Sequence, residues 1–231
     1  MDYAYLLFSL TLTILGYNFV KYVPLVITGR FDQHREVIWF SAISLVINAY
    51  YFLQLDFENW LILAPFILLT FLYVFPLSGT SKNLRMLPGL KIFIIATVWT
   101  GITYLAPLFY LKTLPDYWAM ESAKRFMLLL ILMIPFEIRD MNGDVADLKT
   151  LPQQVGVKTS KHIGYLLTML FCGVSFGQHI QYGTFYQPEL LISLLLFLML
   201  AYTKKKQHRY YCSFWVEAIP ILYLGLYVFS I

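Results

Sequence analysis

The sequence predicts an all-α fold, a polytopic membrane bundle of about eight transmembrane helices forming a single membrane-embedded domain over residues 1–231. Three observations predict it. Apolar residues make up 59% of the 231 residues and charged residues only 13%, about half the charged share of a soluble domain. Mean hydropathy is +0.66. The apolar residues also come in runs that approach or exceed the ~20 residues needed to cross a bilayer.

Taken in order, the predicted spans are Tyr3–Val20 (with room to run on to Thr28), Val37–Leu53, Trp60–Phe75, Leu90–Leu111, Trp118–Phe136, Ile163–His179, Leu190–Tyr202 and Cys212–Ile231. Pro76 and Gly79 close the third. Lys124 and Arg125 fall in the first turns of the fifth. Tyr and Trp gather near span ends, as at Tyr50, Trp60, Tyr202 and Trp215, which is the aromatic belt of a membrane protein. Two spans are short and need tilt or interfacial anchoring to make up the length.

All but three of the 17 Lys and Arg residues fall on one side, in or at the edge of the loops after spans one, three, five and seven. Lys112, Lys124 and Arg125 fall on the other side. The positive-inside rule then puts those four loops in the cytoplasm and both termini outward. The expected location is a bacterial plasma membrane. Cys172 and Cys212 sit in apolar segments without Cys or His neighbours at ligand spacing, so neither a disulfide framework nor a zinc site is expected. No basic leader precedes the first span, and the chain has no Gly-rich nucleotide loop, Ser–His–Asp pattern or nucleic-acid-binding module.

The chemistry concentrates in Glu137–Thr150, EIRDMNGDVADLKT. Glu137, Asp140, Asp144 and Asp147 recur at helical spacing, which would align them on one face. Crowded carboxylates resist ionisation unless a cation joins them. Oxygen donors suit a hard divalent ion, and Mg2+ is usually held by one or two carboxylates plus substrate phosphates. The plainer reading is a solvated acidic loop end. Lys21, Lys82, Arg85, Arg139 and Lys149 are expected on the same membrane face. Together with the acids they suit a diphosphate carrying Mg2+; singly, each serves to orient the spans and meet anionic lipid. Glu217, an acid inside the last span, is a candidate site residue or a partner for Arg209. Asn48, inside the second span, suits an interhelical hydrogen bond.

The run Ile138–Gly156, IRDMNGDVADLKTLPQQVG, resembles the second aspartate-rich motif of the UbiA superfamily of intramembrane prenyltransferases. Asp140 and Asp144 match its acids, Glu137 stands at its leading Asp, and Thr150, Pro152 and Gly156 match its T-x-P tail and following glycine. The segment between Asp144 and Thr150 is one residue short of the usual spacing. The family's first motif, N-D-x-x-D-x-x-x-D, falls on Asn18–Val26. Asn18 is kept there, but Phe19, Tyr22 and Val26 replace the acids. The family usually has nine spans and an inward N-terminus. Eight spans and an outward one fit a chain lacking the first.

The resemblance implies transfer of a prenyl group from a prenyl diphosphate to a lipophilic, aromatic acceptor. It implies Mg2+ on Glu137, Asp140 and Asp144, with Asp140 and Asp144 catalytic. Asn18, Lys21, Lys82, Arg85, Arg139 and Lys149 would hold the diphosphate, with Lys21 standing in for a lost metal as a point charge. Tyr22, Tyr73 and Glu217 would line the cavity. A relative that binds an isoprenoid lipid or serves as a membrane interaction protein is the alternative, and the degenerate first motif favours it.

Overall fold

A computed structural model describes residues 3–27, 35–75, 83–141, 150–184 and 186–229. Among these, every regular element is a helix. The elements are α1 (Tyr3–Ile27), α2 (Arg35–Phe52), α3 (Phe57–Val74), a 3-10 turn (Leu84–Met86), α4 (Leu90–Thr100), α5 (Ala106–Tyr110), α6 (Trp118–Asp140), α7 (Leu151–Tyr182), α8 (Gln187–Tyr202) and α9 (Glu217–Phe229). A π-helical stretch, Gly101–Leu105, joins α4 to α5, and another, Tyr211–Val216, leads into α9.

Among the described residues, five helical segments are long and apolar enough to cross a membrane: Ala4–Val23, Phe57–Val74, Leu90–Tyr110, Leu151–Tyr182 and Tyr211–Phe229. Two shorter apolar helices, Glu36–Phe52 and Gln187–Tyr202, accompany them. The outward faces agree with a hydrocarbon surrounding, for large apolar side chains such as Val46 and Ile221 stand open at 70% and 72% exposure. The sixth predicted span, Ile163–His179, is too short. The helix containing it begins at Leu151, because a cap and hydrogen bonds also hold its more polar first turns, and hydropathy registers only the apolar part.

The chain forms two compact units. The first comprises residues 1–85 and 97–114. Its core is Tyr5, Phe8, Leu55, Leu63 and Ala106. As expected, Asn48 joins two helices: its amide on α2 donates to the Phe8 carbonyl at 3.1 Å and to Thr11 Oγ1 at 3.2 Å on α1. Gly101 lies so close to Phe66 that a Cβ would meet the ring at 2.1 Å, so the π turn packs directly on α3.

The second unit comprises residues 86–96 and 115–231. Its core runs along α6 from Leu128 through Ile131 and Ile134 to Ile138 and meets Phe171 of α7, Ile192, Leu196 and Leu200 of α8, and Ile219 and Tyr223 of α9. Gly164 lets α7 approach α8, since a Cβ there would come within 2.8 Å of Leu200.

The first turns of α6 carry a buried ionic cluster. Lys124 is 1% exposed. Its ammonium lies 2.7 Å from Glu121 Oε2 and 3.0 Å from Glu189 Oε1 of α8. Arg125 Nε reaches Glu121 Oε1 at 3.1 Å. From α9, the Tyr223 hydroxyl donates to Glu189 Oε1 at 3.3 Å, and the Tyr227 hydroxyl donates to the same oxygen. Three helices thus converge on one charge-balanced node.

Breaking a buried ion pair by removing one partner costs about 3–5 kcal/mol, because the other charge is stranded. Lys124→Met should therefore lower the melting temperature sharply in detergent. Lys124→Met with Glu189→Gln should recover part of the loss. Thermal denaturation of the two variants checks this, and additive losses would show that the two groups are not coupled.

Candidate active site at the end of helix α6

Helix α6 ends where the sequence crowds its acids, and the described part of that site lies within the second unit. Glu137 is 2% exposed. Its Oε2 accepts the backbone N–H of Leu151 at 3.1 Å, and its Oε1 lies 3.4 Å from Lys91 Nζ of α4. Leu151 is the first residue of α7. A carboxylate at a helix N-terminus satisfies an otherwise orphaned donor and meets the positive end of the helix dipole. Glu137 therefore clasps α4, α6 and α7 together.

The T-x-P tail has a local structural meaning. Thr150 is the N-cap of α7, and its N–H donates to Gln153 Oε1 at 2.9 Å. That is one half of the T-x-x-Q capping pattern in Thr150–Gln153. Pro152 sits in the first turn, where its missing N–H costs nothing. Gln153 Nε2 donates to the Met141 carbonyl at 3.4 Å, returning to the end of α6. Gly156 has φ +81° and breaks the helical path four residues after Pro152. A side chain there would be strained.

Arg139 and Asp140 form a bidentate pair, Nε to Oδ1 at 2.6 Å and Nη2 to Oδ2 at 3.0 Å. Both side chains are more than a third exposed. The guanidinium also lies 5.2 Å from the Phe136 ring centroid. The hydrogen bond to Asp140 holds the Arg139 pKa above its ordinary value, against partial burial, and the fields of Cys212 and Glu217 add to it. Glu217, exposed in the first turn of α9, is thus electrostatically coupled to the end of α6. Cys212 is fully buried and its thiol donates to Gln207 Oε1 at 2.9 Å; Gln207 Nε2 donates to the Pro135 carbonyl at 3.3 Å.

Of the predicted site residues, Glu137, Arg139, Asp140 and Glu217 meet around this helix end. Asp144, Lys149, Lys82 and the neighbouring Asp147 lie outside the described residues. Asn18, Lys21, Tyr22, Tyr73 and Arg85 belong to the first unit. There the Asn18 amide donates to Ser41 Oγ at 2.9 Å, tying α1 to α2. Lys21 Nζ lies 5.3 Å and 5.2 Å from the ring centroids of Tyr17 and Tyr22 and 3.4 Å from the Tyr17 hydroxyl. Tyr73 is buried, and Arg85 lies half-buried in the 3-10 turn. Phe19 packs edge-on against Phe71 and Phe75, an apolar use of a position where the resembling family has an acid.

Sequence reasoning missed Lys91 and Gln207 as parts of the site. Lys91 reads in the sequence as one of many basic residues that set topology, and its acid partner is 46 residues away; Gln207 is an isolated amide with no local pattern around it. Among the described residues no group of three or more His, Cys, Asp or Glu side chains could hold a metal ion. With Glu137 engaged by Leu151 and Lys91, the other described carboxylate at the end of α6 is Asp140, and both its oxygens accept from Arg139. No family model, curated protein or solved structure matches the chain.

If Glu137 acts as a clasp, Glu137→Gln should destabilise the protein by about 1–3 kcal/mol, the cost of weakening a charge-assisted bond to a buried group. The loss should be the same with and without Mg2+. Melting curves in the two conditions check this; a loss confined to the Mg2+ condition would make Glu137 a metal ligand instead.

Proposed function

We propose that the chain is a divergent membrane prenyltransferase of the UbiA type, acting on a prenyl diphosphate at the end of α6. The observation that carries the reading is the juxtaposition at one helix end, beside the N-terminus of α7, of a half-exposed Asp140, the guanidinium of Arg139 and the ammonium of Lys91. In that setting a diphosphate meets charge-assisted donors, and an oxygen-ligated cation meets a carboxylate. Asp140 would hold Mg2+, with Asp144 its expected companion from the sequence. Mg2+, when bound, would neutralise charge on the departing diphosphate. Arg139 can donate to phosphate oxygens once it leaves Asp140, and the apolar helices exclude water from the allylic cation. The C–O bond of the prenyl diphosphate breaks with its electron pair on the diphosphate. A carbon of the lipophilic acceptor bonds to the prenyl carbon and gives up a proton.

A second reading, an isoprenoid-lipid-binding protein without turnover, is favoured by one observation. Phe19 is used in aromatic packing where the family's first motif carries an acid.

Thermal shift with prenyl diphosphates of increasing length tests both. Ligand at 100 times its Kd stabilises the folded state by ~2.7 kcal/mol. The prenyltransferase reading expects stabilisation that needs Mg2+ and that Asp140→Asn abolishes. Arg139→Gln should weaken diphosphate binding by roughly tenfold while leaving the Mg2+ requirement in place. Stabilisation by prenyl lipids that is indifferent to Mg2+ and to Asp140 would select the binding-protein reading.

A further inference from the structure

The first unit contains a cleft that the proposed chemistry does not use. It has a volume of about 330 Å3 and is lined by Glu58, Asn59, Ile62, Phe109, Lys112 and Leu114, within the size range of small-molecule sites. Its place is set by two apolar segments. Glu58 is in the first turn of α3, where the span Phe57–Val74 begins, and Phe109 is near the end of the span Leu90–Tyr110. The cleft therefore opens at the boundary between hydrocarbon and water, with apolar wall groups beside polar ones.

Lys112 carries a second, independent signal. After α5 the Thr113 N–H donates to the Leu108 carbonyl and the Lys112 N–H to the Phe109 carbonyl, both at 3.1 Å. This is the Schellman pattern of helix termination, and its C′ position takes the left-handed conformation that glycine adopts most easily. Lys112 occupies it with φ +51°, and it is the one non-glycine residue at positive φ among the described residues. The chain places a long cationic side chain where the backbone favours none. Glu58 faces the same cleft from α3. Both side chains are exposed, and among the described residues neither makes an ion pair. A cation and an anion, each without a counter-charge and sharing one cleft, match a ligand that bears both signs.

We propose that this cleft binds a zwitterionic phospholipid with a primary ammonium head group, with Lys112 on the phosphate, Glu58 and the Asn59 side-chain carbonyl on the ammonium, and the acyl chains on Ile62, Phe109 and Leu114. The ammonium's N–H donors distinguish phosphatidylethanolamine from phosphatidylcholine, whose quaternary nitrogen has none. The acid at Glu58 distinguishes it from phosphatidylglycerol, which offers no cation.

The test uses the full chain in detergent, with native mass spectrometry of lipid adducts at equal concentrations of phosphatidylethanolamine, phosphatidylcholine and phosphatidylglycerol. The wild type should favour phosphatidylethanolamine by roughly tenfold, the scale of one charge-assisted hydrogen bond. Glu58→Gln should bring it level with phosphatidylglycerol. Lys112→Gly should weaken every phospholipid by about tenfold and, without lipid, raise the melting temperature by roughly 2–4 °C, because glycine relieves the backbone. That combination of greater stability and poorer binding separates a ligand contact from a structural one. A wild-type preference for phosphatidylglycerol, a preference for phosphatidylethanolamine that survives Glu58→Gln, or a Lys112→Gly protein with unchanged lipid affinity would each overturn the proposal.

Discussion

The second unit depends on a constraint of its surroundings: a charge carried into an apolar interior must find a counter-charge there. Taking an ion out of water costs several kcal/mol even after relaxation, and only close pairing with further hydrogen bonds offsets it. Helix α6 meets this demand at both ends. Near its start, Lys124 is enclosed by Glu121 and Glu189, and two tyrosine hydroxyls from α9 donate to the same Glu189 oxygen that Lys124 meets. Near its finish, Glu137 is held by Lys91 and by the first amide of α7. Between the two lies the apolar stretch that forms the core with α7, α8 and α9. The helix is a polar–apolar–polar strut, and its neighbours are arranged by what its charges require.

The two ends differ in accessibility, and the difference sorts structure from chemistry. At the first, Lys124 and Glu189 are each about 1% exposed, so their charges serve each other. At the second, Asp140 and Arg139 remain more than a third exposed, and the pair they form contributes little at such exposure. A weak, solvent-reachable pair exchanges partners at low cost. The same short sequence thus contains a carboxylate that builds the fold and, three residues on, one paired with a solvent-reachable guanidinium.

How much of this was legible in the sequence follows from what sequence patterns encode. The helical architecture was, because long apolar runs leave few alternatives in lipid. Asn48 was, because a lone amide inside a span has little to do except bond to a neighbouring helix. The beginning of α7 was partly legible: Thr150, Pro152 and Gly156 were noted as a motif, but their work as cap, first-turn proline and left-handed hinge emerges only with the backbone. The ion pairs were the least legible. Glu189 is 65 residues from Lys124, and no local spacing connects them. Lys91 and Glu137 are similarly remote. Charge counting assigned those lysines to topology, since a one-dimensional reading sees the sign of a residue but not the group it faces.

The length of α7 has a consequence of its own. Beyond the break at Gly156, residues 157–182 alone extend roughly 39 Å at 1.5 Å per residue, against a hydrocarbon core of about 30 Å. A helix that outreaches its membrane must tilt, bend or protrude. Gly156 puts a flexible joint five residues behind the capped tip, so excess length can be absorbed there without disturbing the packed portion. Glu137 holds the first amide of α7 on the near side of that joint, so the end of α6 is tied to the short capped segment rather than to the long one.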